Sequence, residues 1–118
     1  MTIPEERNGK VVVLRLTGMV DSEASRTLFE KFTEVIARGE RYLLLDFREV
    51  NFINSTGLGA LVYATRKVAS AWGKLVLAGV TEPIQRIFKI SGLISTLSMY
   101  STEAAALGSF PLTVPPQP

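Results

Sequence analysis

The chain contains neither cysteine nor histidine. Without cysteine there are no disulfides and no thiolate–metal sites. Without histidine there is no Ser-His-Asp catalysis, no imidazole acid–base chemistry and little prospect of a transition-metal centre. Most enzyme classes fall away on these two absences, and no catalytic residue, metal or cofactor is expected. Charge of one sign is also lacking: 13 Lys and Arg stand against 11 Asp and Glu, a net +2. Because the signs are interspersed, the pI near 9.2 argues against direct nucleic-acid binding, which needs a clustered basic face. No apolar run approaches the roughly 20 residues that span a bilayer. Glu5, Glu6 and Arg7 interrupt any signal-peptide pattern at the start. A soluble, cytoplasmic protein without membrane insertion is expected. What remains, 118 residues with 47% hydrophobic content, suits one domain with a real core.

The most informative stretch runs from Leu43 to Trp72. An apolar strand that includes Leu43-Leu44-Leu45 passes through a short polar segment containing Phe52-Ile53 and reaches Asn54-Ser55-Thr56-Gly57. Beyond it, Leu58, Leu61, Val62, Thr65, Val68, Ala69 and Trp72 recur at the spacing of one buried helix face. A strand therefore feeds a helix through a hydroxyl-rich turn. Asn54, Ser55 and Thr56 all favour the N-cap position, so one of them caps the helix. Gly57 and Gly59 each cost about 1 kcal/mol relative to Ala in a helix. Either they allow close packing, or they leave amides open to an approaching group at a helix N-terminus, where negative charge is favoured.

Elsewhere the chain alternates. Asn8-Gly9 marks a hairpin between a short edge strand and the β-branched strand Lys10–Leu16, which Gly18 ends. Asp21 or Ser22 caps a helix with an Ala24, Leu28, Phe29, Phe32, Val35, Ile36 stripe, closed by Gly39. Residues 41–47 form a strand buried on both faces. After the second helix, which Gly73 stops, 74–80 form another buried strand. Thr81-Glu82-Pro83 starts a short helix carrying Ile84, Ile87 and Phe88. A brief strand at 97–100 precedes a final helix through Ala104 to Leu107. From Ser109, four prolines mark an extended tail outside the core. The order β-β-α-β-α-β-α-β-α implies an α/β fold with mostly parallel neighbours after the opening hairpin. Asp21 and Asp46 are candidates for an acidic pair near Ser55, Asp46 being equally a strand-end turn residue. Arg66, Lys67 and Lys74 read as a solvated face. Trp72 reads as packing, with a partner contact as the alternative.

Phe52-Ile53-Asn54-Ser55-Thr56-Gly57-Leu58-Gly59-Ala60-Leu61, after Leu44-Leu45-Asp46-Phe47, resembles the signature of the STAS domain, in particular of bacterial anti-sigma factor antagonists. Leu16-Thr17-Gly18-Met19-Val20-Asp21 is similar to the family's second strand and its following acid. Residues 83–93, with Ser91-Gly92-Leu93 at their end, resemble its late helix. The resemblance implies a single STAS domain over 1–108 and a tail over 109–118. It also implies a mixed, mostly parallel sheet of four to five strands with helices packed largely on one side. It further implies a non-enzymatic regulator that binds an anti-sigma factor serine kinase in a partner-switching pathway affecting transcription, inactivated by phosphorylation at Ser55 and restored by a serine phosphatase. Asp21, Asn54, Ser55, Thr56, Gly57, Leu58 and Gly59 are the implied partner-binding residues, on a monomer or weak dimer. Many members have Asp where this chain has Asn54. The alternative is a STAS subunit of a larger transport or stress-signalling complex, with no phospho-switch and Ser55 only a cap.

Overall fold

Two residues, Gly9 and Lys10, turn the chain between its first two strands, and Gly9 supplies the positive φ of 61° that so short a hairpin loop requires. The computed structural model describes residues 1–111. In order they form β1 (Glu5–Asn8), β2 (Val11–Val20), α1 (Ser22–Ala37), β3 (Tyr42–Ile53), α2 (Ser55–Ser70), β4 (Lys74–Ala78), α3 (Glu82–Ile90), β5 (Ser98–Tyr100) and α4 (Glu103–Gly108). The five strands make one sheet in sequence order. The β1–β2 pair is antiparallel and every later pair is parallel. Strand side chains alternate between two cores. Leu43, Leu45 and Phe47 join Leu28, Phe32, Leu61, Ile84 and Phe88 under α1, α2 and α3. Tyr42 and Leu44 join Val11, Val13, Ala106 and Phe110 under α4. Three of the four helices thus share one side, as expected for an apolar strand run covered on both faces.

Several local expectations are corrected, each for a tertiary reason. The strand expected over 41–47 runs on to Ile53, because β2 pairs with it all the way from Val11↔Tyr42 to Val20↔Ile53. Backbone pairing overrides the polar composition of Arg48 to Asn51. Gly18 does not end β2. It lies inside the strand with φ 81°, at a register shift between Gly18 and Met19 where β3 carries one extra residue, Asn51. The buried face of α2 is Gly57, Ala60, Leu61, Ala64 and Val68, rotated from the stripe of larger residues. Small side chains let the helix lie close to the sheet and α1, so bulk alone misplaces the face. Val62 is consequently half-buried, while Ala69 and Trp72 are exposed.

Trp72 is not a packing residue: it is 50% exposed and occupies the left-handed region with φ 64°. Its amide donates to the Ala69 carbonyl at 3.1 Å and that of Gly73 to the Val68 carbonyl at 2.7 Å, closing the helix. Gly73 serves close approach instead, since a Cβ there would stand 2.1 Å from the Arg41 carbonyl oxygen. Lys74 does not belong to a solvated face. Its Nζ donates to the Ser109 carbonyl at 2.9 Å and lies about 6 Å from the Tyr100 and Phe110 rings. Packing also passes the boundary expected at Gly108: Phe110 is buried and meets Tyr42 edge-on at 5.8 Å. The rest of the expected tail, 112–118, lies outside the described residues.

Candidate functional site

Parallel pairing of β2 and β3 brings the starts of α1 and α2 side by side. Val20 and Ile53 are register partners, and the Asn54 amide donates to the Val20 carbonyl at 3.1 Å. Asp21 therefore sits next to Asn54. Each caps its own helix: Asp21 Oδ1 accepts from the Ala24 amide at 2.9 Å, and Asn54 Oδ1 from the Gly57 amide at 3.0 Å. Asn54 also links the two helices. Its Nδ2 donates to Ser22 Oγ at 3.1 Å, and the buried Ser25 donates its hydroxyl to Asn54 Oδ1 at 3.4 Å. Ser22 and Ser25 are part of this site although the sequence reading did not select them. The signal was available, since Ser25 is a polar residue inside the apolar stripe of α1.

With Asn54 as the cap, the hydroxyls of Ser55 and Thr56 have no cap to make. Both residues are exposed, and neither side chain has a hydrogen-bond partner among the described residues. Of the four orphan amides at a helix start, Asn54 is bonded to Val20 and Gly57 to Asn54. Those of Ser55 and Thr56 remain open. Thr56 faces a depression against α1 that it shares with Ser22, Ser25 and Arg26; Ser55 is outside it.

The two glycines divide their roles. Gly57 is buried, and a Cβ there would lie 2.7 Å from Ile53 Cγ1 and 2.9 Å from Val20 Cγ1. It is a packing glycine and presents nothing to a partner. Gly59 is exposed, with nothing within 4 Å of an added Cβ, so the space above it is open. Leu58 is half-buried against the main core.

Asp46 forms no acidic pair with Asp21. It is in mid-strand, level with Arg15, on the α4 face, whereas Asp21 follows the last residue of β2. It is also no turn residue, being buried and bonded to Arg15 at 2.8 Å, to Arg48 Nε at 3.0 Å and to the Arg48 amide at 3.1 Å. Burial alone would raise its carboxyl, but the hydrogen bonds from Arg48 and Arg15 outweigh burial and hold it below the usual range. Arg15 continues to Glu103 at 2.6 Å and Glu6 at 2.6 Å, tying α4 and β1 to the same point. Among the described residues no acidic cluster could hold a metal ion, and no helix is long and apolar enough to cross a membrane.

A five-stranded mixed sheet with four helices thus presents exposed hydroxyls at the start of the helix that follows its long central strand. The family model of the STAS domain matches residues 2–106, and the chain belongs to that family. Among its relatives, the anti-sigma-F factor antagonist RsfB of Mycobacterium tuberculosis is 31% identical over 104 residues, 86% of this chain and 82% of the relative. The anti-sigma F factor antagonist of Paenibacillus polymyxa is 26% identical over 108 residues, 91% and 92% of the two chains. The fold is shared with an anti-sigma factor antagonist from Mycobacterium paratuberculosis, with TM-score 0.80, 24% identity and 92% of each chain covered. It is shared also with Bacillus SpoIIAA in its phosphorylated form, with TM-score 0.72, 24% identity and 91% and 97% covered.

Proposed function

We propose that this protein is an anti-sigma factor antagonist that captures an anti-sigma factor serine kinase with the start of α2 and is switched off by phosphorylation of Ser55. The observation that carries this reading is that Asn54, not Ser55, caps the helix, leaving an exposed serine hydroxyl with no structural duty at the first helical position. In the competing reading, permanent docking without a phospho-switch, Ser55 is only a cap, a role that Asn54 takes instead. Relatives named as anti-sigma factor antagonists support the partner class. Asp21, Asn54, Ser55, Thr56, Leu58 and Gly59 form the contact surface, with Gly57 beneath it.

A phosphate on Ser55 adds about −1.5 to −2 charges at pH 7. It arrives where two amides are open and the helix dipole favours negative charge. The nearby Asp21 is exposed, so its repulsion is screened over about 8–10 Å by physiological salt. The fold survives modification, and the switch acts by putting bulk and charge where the partner must approach. A serine phosphatase reverses it. Ser55→Asp is expected to weaken binding to the kinase partner at least tenfold, about 1.4 kcal/mol, with circular dichroism and Tm close to wild type. Intact-mass analysis with the partner kinase is expected to find one phosphate, absent from Ser55→Ala and retained in Thr56→Ala. Phosphate on Thr56, or loss of helical signal in Ser55→Asp, would overturn this account.

A further inference from the structure

Two shallow depressions lie along α2, of about 420 and 520 Å³. The first runs between α1 and the start of α2; the second continues along α2 to Ser70. Gly59 is the one residue lining both. A side chain at Gly59 would project into the open space where they meet, so the glycine makes them one groove. Its floor is apolar and aromatic: Phe29 of α1 is 43% exposed and packs against Tyr63 of α2 with ring centroids 4.7 Å apart and planes tilted by 39°, beside the half-buried Val62.

The rim is cationic. Arg26, Arg66 and Lys67 line the groove, and none is in an ion pair among the described residues. Elsewhere Arg7, Arg15, Lys31, Arg38, Arg48 and Arg86 are paired with carboxylates, while Lys10, Arg41, Lys74 and Lys89 are outside ion pairs among the described residues but line neither depression. Glu23 and Glu30 of α1 are exposed too, but neither lines either depression. Three unneutralised cations around an exposed aromatic pair call for an anionic occupant with apolar anchors. The first depression lies between α1 and α2 and the second on α2 alone, and helices offer no strand edge to an extended peptide. An occupant must satisfy its own backbone, which a helix does.

We propose that the α1–α2 groove docks an acidic amphipathic helix of the protein partner, its apolar face on Phe29, Val62 and Tyr63 and its carboxylates on Arg26, Arg66 and Lys67. This rests on the partner-binding reading given above and extends the contact from Ser55 about three turns along α2. Gly59 remains glycine, against its helix propensity, because the docked helix crosses there.

The test uses the full chain and the anti-sigma factor kinase encoded in the same genome, with affinity measured by calorimetry. Gly59→Gln is expected to keep or raise Tm while lowering affinity at least tenfold, opposite signs that a damaged fold would not produce. The pair Arg66→Glu, Lys67→Glu, on an exposed face about three turns from Ser55, is expected to lower affinity at least tenfold at unchanged Tm, with a smaller salt dependence than wild type. Benzoylphenylalanine in place of Val62 is expected to crosslink to an acidic helical segment of the kinase. If Ser55→Asp releases the kinase but both groove variants bind as wild type, the groove proposal fails and the switch reading stands. If the groove variants release it and Ser55→Asp does not, the switch fails and the groove stands. A wild-type dimer in sedimentation equilibrium that Arg66→Glu, Lys67→Glu dissolves would assign the groove to a second copy and overturn the proposal, as would crosslinking to a basic or extended segment.

Discussion

Replacing Asp46 by Ala is expected to destabilise the protein by about 3 kcal/mol, the lower end of the range for breaking a buried ion pair by removing one partner. Its side chain is 6% exposed and that of Arg15 is 26% exposed, so Arg15 loses the most buried of its three carboxylate partners, while Glu6 and Glu103 still neutralise it. Arg48 is 60% exposed and rehydrates, and both effects hold the cost to the lower end. The position matters because Asp46 is the last residue of β3 that has β4 as a neighbour, through Ala78. Beyond it the strand depends on β2 alone to carry Asn54 and Ser55 to the site. The Arg48 stem is also fixed here, lying over Gly79, where a Cβ would stand 2.3 Å from its Cγ.

The same carboxylate makes stability depend on pH. Asp46 and Glu6 are held below the ordinary carboxylate range. Glu5 is lowered to about 2 by hydrogen bonds from Arg38 and Lys31. A carboxyl whose folded-state pKa is depressed binds its proton more readily when unfolded. Its stabilisation is therefore present above the unfolded value and lost as pH falls through the folded one. Urea midpoints are expected to be level from about pH 7 to 5 and to fall between about pH 4.5 and 2. The Glu5 side chain is 26% exposed at the edge of the sheet, and solvent screening there limits its share to about 1 kcal/mol or less. In Asp46→Ala the acid slope should be shallower and the neutral-pH midpoint lower. An unchanged midpoint at pH 7 would show that the arginines are held without the carboxylate.

Gly57→Ala carries the next largest expected effect, a loss of about 2–3 kcal/mol, toward the upper end for overpacking a filled core. The added methyl meets Ile53 and Val20 at 2.7 and 2.9 Å. Both neighbours are β-branched, buried and held in the β2–β3 register, so neither swings aside cheaply. Gain in helix propensity returns about 1 kcal/mol of what packing alone would cost, and the figure given is net of it. The start of α2 must then lift from the sheet, taking the Asn54 cap and the Ser55 hydroxyl with it. Thermal unfolding and partner binding should decline together. This contrasts with Gly59, two residues on, where a side chain has open space. A Gly57→Ala protein with wild-type Tm would mean that the contact with Ile53 and Val20 relaxes at little cost.

What the sequence by itself determined was local and periodic. The strand–helix alternation, the hairpin at Asn8-Gly9, the helix closed at Gly39 (φ 92°) and the capping capacity of Asn54 follow from turn chemistry and hydrophobic spacing, which need only near neighbours along the chain. The ordered matches at 16–21, 44–61 and 83–93 were enough to point to the STAS family. Which residue of Asn54-Ser55-Thr56 is the cap was not decided there, because all three carry the side-chain oxygen a cap needs. Only the tertiary structure decided it, when the Val20 carbonyl and the Ser22 and Ser25 hydroxyls took up the rest of Asn54. The same holds for Asp46, whose partner Arg15 is 31 residues away and is itself bonded to Glu103, 88 residues beyond Arg15, while Arg48 comes to it only through a strand extended by pairing. Gly57 and Gly59 look alike in a sequence and differ because one lies over Ile53 and Val20 and the other over solvent. Burial and long-range register are properties of which elements meet, and no window along the chain contains both partners of such a meeting.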